Sequence, residues 1–497
     1  MTALIATTIV APLICAALSL GLRTQTHLRD AVTLLGLVTA AGAAIGALVH
    51  VADQGTHFVR VGGWHPELGI VLVADLLAVL LLPVALMIIV VVEIFAIGQR
   101  RTAWGANPEL TGPLLCVLTA GVSLAFLTGD LFTLFVAFEM ILVSSYVLLT
   151  HQGQRDQVRS GMTYVSLNLL ASTLFLIGVA LVYTATGTVN IALAAERMAD
   201  LPDGVRLGIG AWFLVVFGTK AAVFPLFAWL PDSYPTAPTT ITAVFAGLLT
   251  KIGLYALIRF HSATAMDDLG PAMLILAAVT MVVGAIGALA QSDVKRILSF
   301  HIISQIGYML MGLGLFTAAG LAGAILFLVH HMPVKTVLFL VGGLIENEQG
   351  TGSLERTSGL GARRPLFAAL FAIPALSLAG MPPFSGFVAK FAVISAGIAE
   401  SSTVVVTAAL LAGALTLLSM AKIWLGVFWG PAPGAGDPPE DESDTPPGNR
   451  ATMVAATGLA VAGTLAISLF AGPLFDLSKD AADALLAQAD AFGQAAP

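Results

Sequence analysis

Charge is scarce in this chain. Lysine, arginine, aspartate and glutamate make up 10% of its 497 residues, against 58% hydrophobic ones, and the mean hydropathy is +0.94. A water-soluble domain of this size is not so poor in charge, so the composition predicts a polytopic membrane protein. Cysteine is nearly absent: Cys15 and Cys116 lie in apolar runs without C-x-x-C spacing, which argues against disulfides, zinc knuckles and iron–sulfur ligation. No phosphate loop occurs, and Gly-x-Gly patterns such as Gly312–Gly314 fall inside apolar helix, where glycine serves packing. The opening MTALIATTIVAPLICAALSLG has no basic flank and is too long for a signal-peptide core, so it reads as a retained first helix. Period-two alternation is missing, which leaves helices as the spanning element. No cofactor, metal site or nucleic-acid partner is expected. The net charge of −7 says little, because acid concentrates in GDPPEDESDTPPG (436–448) and in the tail after Pro473.

What is present is a series of apolar windows, each about 20 residues and long enough to cross a hydrocarbon core. They fall near 2–21, 30–50, 74–97, 111–129, 131–150, 162–186, 207–230, 236–259, 268–290, 297–317, 320–345, 366–396, 403–428 and 451–471. The expected fold is therefore all-α with about fourteen transmembrane helices. Basic residues set its orientation. Connections after odd-numbered spans hold Arg23, Arg29, Arg100, Arg101, Arg155, Arg159, Lys295, Arg296, Arg356, Arg363, Arg364 and Arg450. The other side holds Arg60, Arg197, Arg206, Arg259 and Lys479. The bias places both termini outside.

Proline breaks two windows, span 7 at Pro225 and span 12 at Pro382 and Pro383. Spans five apart run in opposite directions, so spans 4–8 and 9–13 are expected to form inverted five-helix repeats with Lys220 and Lys390 in equivalent places. The expected organisation is accessory helices at 1–110, repeats at 111–260 and 261–430, and an acidic Pro-rich cytoplasmic loop at 431–450. A last span at 451–472 and a tail at 473–497 follow, the tail amphipathic and able to lie on a partner or the membrane surface.

The chemistry lies in ionisable residues inside these windows. Glu139 is near the centre of LFTLFVAFEMILVSSYVLLT. Burying such a charge costs about 2.5–3.5 kcal/mol on insertion scales, so function is the default reading and a helix-packing hydrogen bond the bland one. Lys220, five residues before Pro225, needs a partner or must shed its proton, and Glu139 is its natural counter-ion. At ~4 Å and an effective dielectric of ~20 the pair would be worth about 4 kcal/mol. Lys251 lies mid-span, whereas Arg259 at the span end is expected to be an interfacial anchor. In LFLVHHMPVKTVLFLV, His331 and Lys335 are four apart on one helix face. With His330 they resemble a proton relay more than satisfied core residues. In span 10, His301, Ser304 and Gln305 add groups that water could join. Lys390 follows the Pro382–Pro383 break by about two turns. Lys422 is expected to snorkel. Asp75 and Glu93 are expected to reach headgroups, and Asp293 to cap or pair in a turn.

These motifs resemble the antiporter-like subunits shared by Mrp-type multisubunit Na⁺/H⁺ antiporters and respiratory complex I. The resemblance spans essentially the whole chain, most clearly 60–430. FGTKAAVFPLFAWLPDSYPTAPTTITAVFAGLLTKIGLYALIR matches the family's core signature, with Lys220 and Lys251 at its two lysines; FVAFEMILVSSYVL carries its glutamate at Glu139, and MPPFSGFVAKF its terminal lysine at Lys390. VGGWHPELGIVLVAD (61–75), WLPDSYPTAPT (229–239) and KRILSFHIISQIGYM (295–309) are most similar to the D-type branch of the Mrp antiporters; complex I relatives tend to carry SSISH where this chain reads FHIIS. Pro333 in HHMPVK is an unusual choice, and neither a long lateral helix nor the extra C-terminal membrane region of the A-type branch follows span 14. The resemblance implies a bacterial cell-membrane transporter subunit rather than an enzyme. It also implies partners among A-like and small antiporter subunits, with H⁺ and Na⁺ as transported ions. Protons would move along Glu139, Lys220, Lys251, His331, Lys335 and Lys390 between hydrated half-channels. Two other readings stay open: a pump subunit of a complex I-like dehydrogenase or membrane-bound hydrogenase, and a non-transporting scaffold.

Overall fold

The computed structural model describes residues 1–67, 69–99, 108–150, 153–430 and 449–491. Arg100, Arg101, the acidic stretch 436–448 and the tail's 492–497 lie outside the described residues. The chain begins with α1 (Thr2–Gly21) and α2 (Thr26–Gln54). A two-stranded antiparallel hairpin follows, β1 (His57–Arg60) against β2 (Val71–Ala74), with His57 opposite Ala74. The expectation of helix throughout misses this hairpin; it lies between windows, where backbone groups can reach water. Next come α3 (Leu76–Gln99), α4 (Thr111–Leu127), α5 (Leu131–Thr150) and α6 (Arg155–Thr186). The short α7 (Ile191–Ala199) is capped by Asn190, whose side chain accepts from Ala192 and Leu193 N–H.

The interrupted region is α8 (Asp203–Ala221), a non-helical stretch, α9 (Trp229–Ser233) and then α10 (Thr239–Ala263). Continuing, α11 (Gly270–Leu289), α12 (Val294–Gly314) and α13 (Ala318–Gln349) precede the short α14 (Leu360–Arg363). The second interrupted element is α15 (Pro365–Ala379) plus α16 (Ser385–Ala399), followed by α17 (Thr403–Val427), α18 (Arg450–Leu469) and α19 (Ala471–Ala491). Among the described residues, 12 helices are long and apolar enough to cross a membrane, and α4, α15 and α16 are shorter apolar helices. The protein is an all-α, multi-pass membrane protein with one small hairpin.

Three helices form the centre. The apolar windows of α10 and α13 are 100% buried within the chain and that of α12 is 94% buried, whereas α6, α11 and α17 expose most of theirs. The outer helices present large apolar side chains such as Leu169, Leu170, Leu410 and Leu418 to the surroundings, a surface that suits lipid. α10 packs on α13, and α12 on both α11 and α13. The tail helix α19 packs on α13, α3, α10 and α7 of its own chain, burying Ala482 and Leu485. One face of this amphipathic helix thus packs on the chain's own helices.

Several polar residues differ from expectation. Asp75 and Arg259 do not reach headgroups or anchor at an interface; they form a buried bidentate ion pair with each other, 3% and 5% exposed. Glu93 is fully buried within α3. Lys422 does not snorkel freely: Nζ donates to the carbonyls of Leu289 (2.9 Å) and Gln291 (2.6 Å), closing the C-terminus of α11. Asp293 caps α12 as expected, accepting from Arg296 N–H at 3.0 Å.

Candidate functional site

The two broken helices place the site. α8 ends at Ala221, and Ala222 turns the chain into the left-handed region at φ 62°. Lys220 therefore occupies the last helical turn rather than mid-helix, at the negative end of the helix dipole, where unpaired carbonyls favour a cation. Pro225 follows in the non-helical stretch and cannot prolong the helix. Lys220 is 4% exposed, and its ammonium donates to Asn168 O (3.2 Å) and Ser172 Oγ (2.9 Å) on α6. The Phe138 ring centroid lies 5.6 Å away. A small cavity of about 10 Å³, lined by Lys220, Asn168, Tyr164 and Trp229 among others, adjoins it. That is the size of a single water site.

Glu139, next to Phe138 on α5, does not pair directly with Lys220. It is partly buried, acts on Lys220 through space, and its Oε1 has no hydrogen-bond partner in the chain. The expected contact at ~4 Å is therefore open, with α6 supplying the lysine's immediate acceptors. Sequence reasoning misses Asn168 and Ser172. Ser172 offers a signal, a hydroxyl inside an apolar helix, but Asn168 gives its backbone carbonyl, which no side-chain pattern announces.

The second break also carries a buried lysine, placed by another route. α15 ends at Ala379, Gly380 takes φ 87°, and α16 starts at Ser385 after Pro382 and Pro383. Lys390 sits on the helix after the break. Helical side chains lean toward their own N-terminus, so its Nζ reaches back to Ala379 O at 3.2 Å. A Cβ on Gly380 would come within 2.8 Å of Lys390 Cδ. The Tyr308 ring centroid on α12 lies 5.0 Å from the ammonium.

Between the lysines run α10, α12 and α13. Lys251 is 1% exposed and donates to Ala246 O within α10. Lys335 on α13 is fully buried and donates to Leu298 O on α12 at 3.1 Å. His330 Nδ1 lies 2.9 Å from Ser385 Oγ at the start of α16, linking α13 to the second break. His301 Nε2 lies 2.6 Å from Ser419 Oγ on α17. Ser304 is turned the other way; its hydroxyl donates to Met281 O on α11 at 3.0 Å, so the structure does not bring it into this group. α13 continues through Pro333 as one helix.

Among the described residues, both ring nitrogens of His331, both amide atoms of Gln305, His301 Nδ1 and His330 Nε2 are buried without a hydrogen-bond partner in the chain. Native proteins leave few such atoms unpaired. Each costs about 1–3 kcal/mol if dry; together they would consume most of the roughly 5–15 kcal/mol of a typical fold's net stability. Their clustering on α12 and α13 marks a buried polar strip. Among the described residues no group of three or more His, Cys, Asp or Glu could hold a metal ion.

A multi-pass helical protein with buried lysines beside two helix breaks is an intramembrane charge carrier by class. The chain belongs to the family described as NADH:quinone oxidoreductase/Mrp antiporter, whose transmembrane model matches residues 128–416. It is 42% identical over 445 residues to the D-type subunit of the Na⁺/H⁺ antiporter of Alkalihalophilus pseudofirmus, covering 88% of each chain. The corresponding D-type Na⁺/H⁺ antiporter chain of Bacillus subtilis is 37% identical, with 90% of this chain and 89% of that protein covered. In three dimensions the chain matches one from the Mrp complex of Dietzia sp. with a TM-score of 0.91, 34% identity and full coverage of both. A chain of the membrane-bound sulfane sulfur reductase, an archaeal respiratory complex, gives a TM-score of 0.88 at 26% identity, covering 98% and 99%.

Proposed function

We propose that this chain is a proton-translocating subunit of a multisubunit Na⁺/H⁺ antiporter. It would act as a transporter subunit rather than an enzyme, in the bacterial plasma membrane with both termini outside, beside A-like and small partner subunits. The proton route is Glu139, Lys220, Lys251, His331, Lys335 and Lys390, with His301 and His330 beside it and the breaks at Pro225 and Pro382–Pro383 giving water access. Spans 4–8 and 9–13 would be its two inverted halves. The observation that carries this reading is the file of unpartnered polar atoms and buried lysines on helices shielded from lipid by the rest of the chain. The open Glu139–Lys220 geometry fits a switch whose closing and opening would hold and release a proton.

Glu139→Ala and Lys220→Ala should each abolish cation-dependent ΔpH dissipation in vesicles while the complex still assembles. Normal transport in either, at wild-type complex levels, would sink the proposal and favour a scaffold. The likeness to a respiratory complex keeps one rival specific: a pump driven by redox partners. Transport that requires an electron donor rather than a cation gradient would select it.

A further inference from the structure

A large cavity lies away from the lysine row. At the face where α3 begins and α10 ends, the β1–β2 hairpin with its connecting loop and α7 enclose about 520 Å³. Its lining includes Arg60, Glu67, Thr128, Glu196 and Arg197, and a deeply buried charged side chain, Arg259. Arg259 is held by Asp75 through both carboxylate oxygens. It also donates to Tyr255 Oη from Nε (3.2 Å) and Nη2 (2.6 Å), and Tyr255 in turn donates to Phe126 O on α4.

Lys251, Tyr255 and Arg259 are four residues apart along α10 and share one face. Arg259 and Tyr255 thus stand between the cavity and Lys251, which is two turns, about 12 Å, further along the helix. A guanidinium stays charged under all working conditions. At the cavity wall its charge is balanced by Asp75 and its N–H groups are engaged by Asp75 and Tyr255, so the cluster stands as a paired plug that does not release a proton toward Lys251.

We infer that the Asp75–Arg259–Tyr255 cluster is the exclusion gate separating this cavity from the proton row at Lys251. The inference rests on the proposed proton row. Without the gate, protons at this face would reach Lys251 with no exchange for a cation, and the transporter would leak. A purely structural role, tying α3 to α10, predicts weaker assembly or lower thermal stability with no leak.

The test uses the whole complex in proteoliposomes with a trapped pH dye, an imposed potential and no exchangeable cation. Arg259→Gln should raise passive proton entry by roughly tenfold or more, the scale on which a fixed charge alters local ion access. If Arg259→Gln does not assemble, the paired Asp75→Asn/Arg259→Gln, which removes both buried charges together, carries the same expectation. Wild-type tightness of the assembled variant overturns the gate. Adding Lys251→Ala should abolish the leak; a leak that survives it overturns the link between gate and row. Active Glu139→Ala and Lys220→Ala would instead overturn the row itself, whatever the leak.

Discussion

The two broken helices each bury a lysine, on opposite sides of their breaks. In the first, Lys220 belongs to the helix before the break and sits in its last turn. In the second, Lys390 belongs to the helix after the break and leans back onto the last carbonyl of the helix before it. The Lys390 ammonium thus rests on a helix C-terminus while the Lys220 ammonium reaches across to α6, and each has an aromatic ring nearby, from Phe138 on α5 or Tyr308 on α12. The difference is in the acceptors. Both donate to a backbone carbonyl, Asn168 O or Ala379 O, but Lys220 adds a serine hydroxyl and a through-space carboxylate, Glu139. If Phe138 and Tyr308 are counterparts in the proposed repeats, the apolar Met309 stands where Glu139 does. The lesson is that a helix end can hold a buried lysine by itself, and that the carboxylate in the first half is an addition suited to control.

Replacing either lysine by arginine should have the largest effect. Arginine keeps the positive charge but cannot release a proton, so Lys220→Arg and Lys390→Arg should both lose cation-dependent proton transport in vesicles. An active Lys390→Arg would break the comparison by reducing that residue to a fixed charge. Ser172→Ala comes next. A hydrogen bond to a charged group contributes about 1.5–3 kcal/mol, so the transport rate should fall roughly ten- to a hundredfold, an effect confined to the first half. An unchanged rate would make Asn168 O the sufficient partner. The smallest expected effect concerns the turns. Gly380→Ala puts a Cβ on a residue at φ 87° and against Lys390, and should destabilise the purified complex by about 1–3 kcal/mol in thermal unfolding. Ala222→Gly, at φ 62°, should be tolerated, since glycine adopts that conformation freely. Equal losses at both sites would show that packing, not backbone conformation, governs the breaks.

Much is legible from the chain alone because lipid narrows the choices. Long apolar runs must be helices, prolines must interrupt them, and a lysine within such a run stands out. Glu139, Lys220, Lys251, Lys335 and Lys390 are visible for that reason. The neighbours of those lysines are not. Ser172 approaches Lys220 from 48 residues away, and Ser385 approaches His330 from 55. Asp75 and Arg259 read as two unrelated span ends in the sequence, and folding joins them across 184 residues. Ser304 shares a sequence neighbourhood with His301, yet helix rotation turns it onto α11.

The sequence by itself determined the class, the breaks and the candidate charge carriers, because each follows from local hydrophobicity and backbone chemistry. Only the tertiary structure decided that Lys220 closes a helix, that Lys390 reaches back across its break, and that the Glu139 contact is open. Those outcomes depend on distances of a few ångströms between helices distant in sequence, set by how the helices pack.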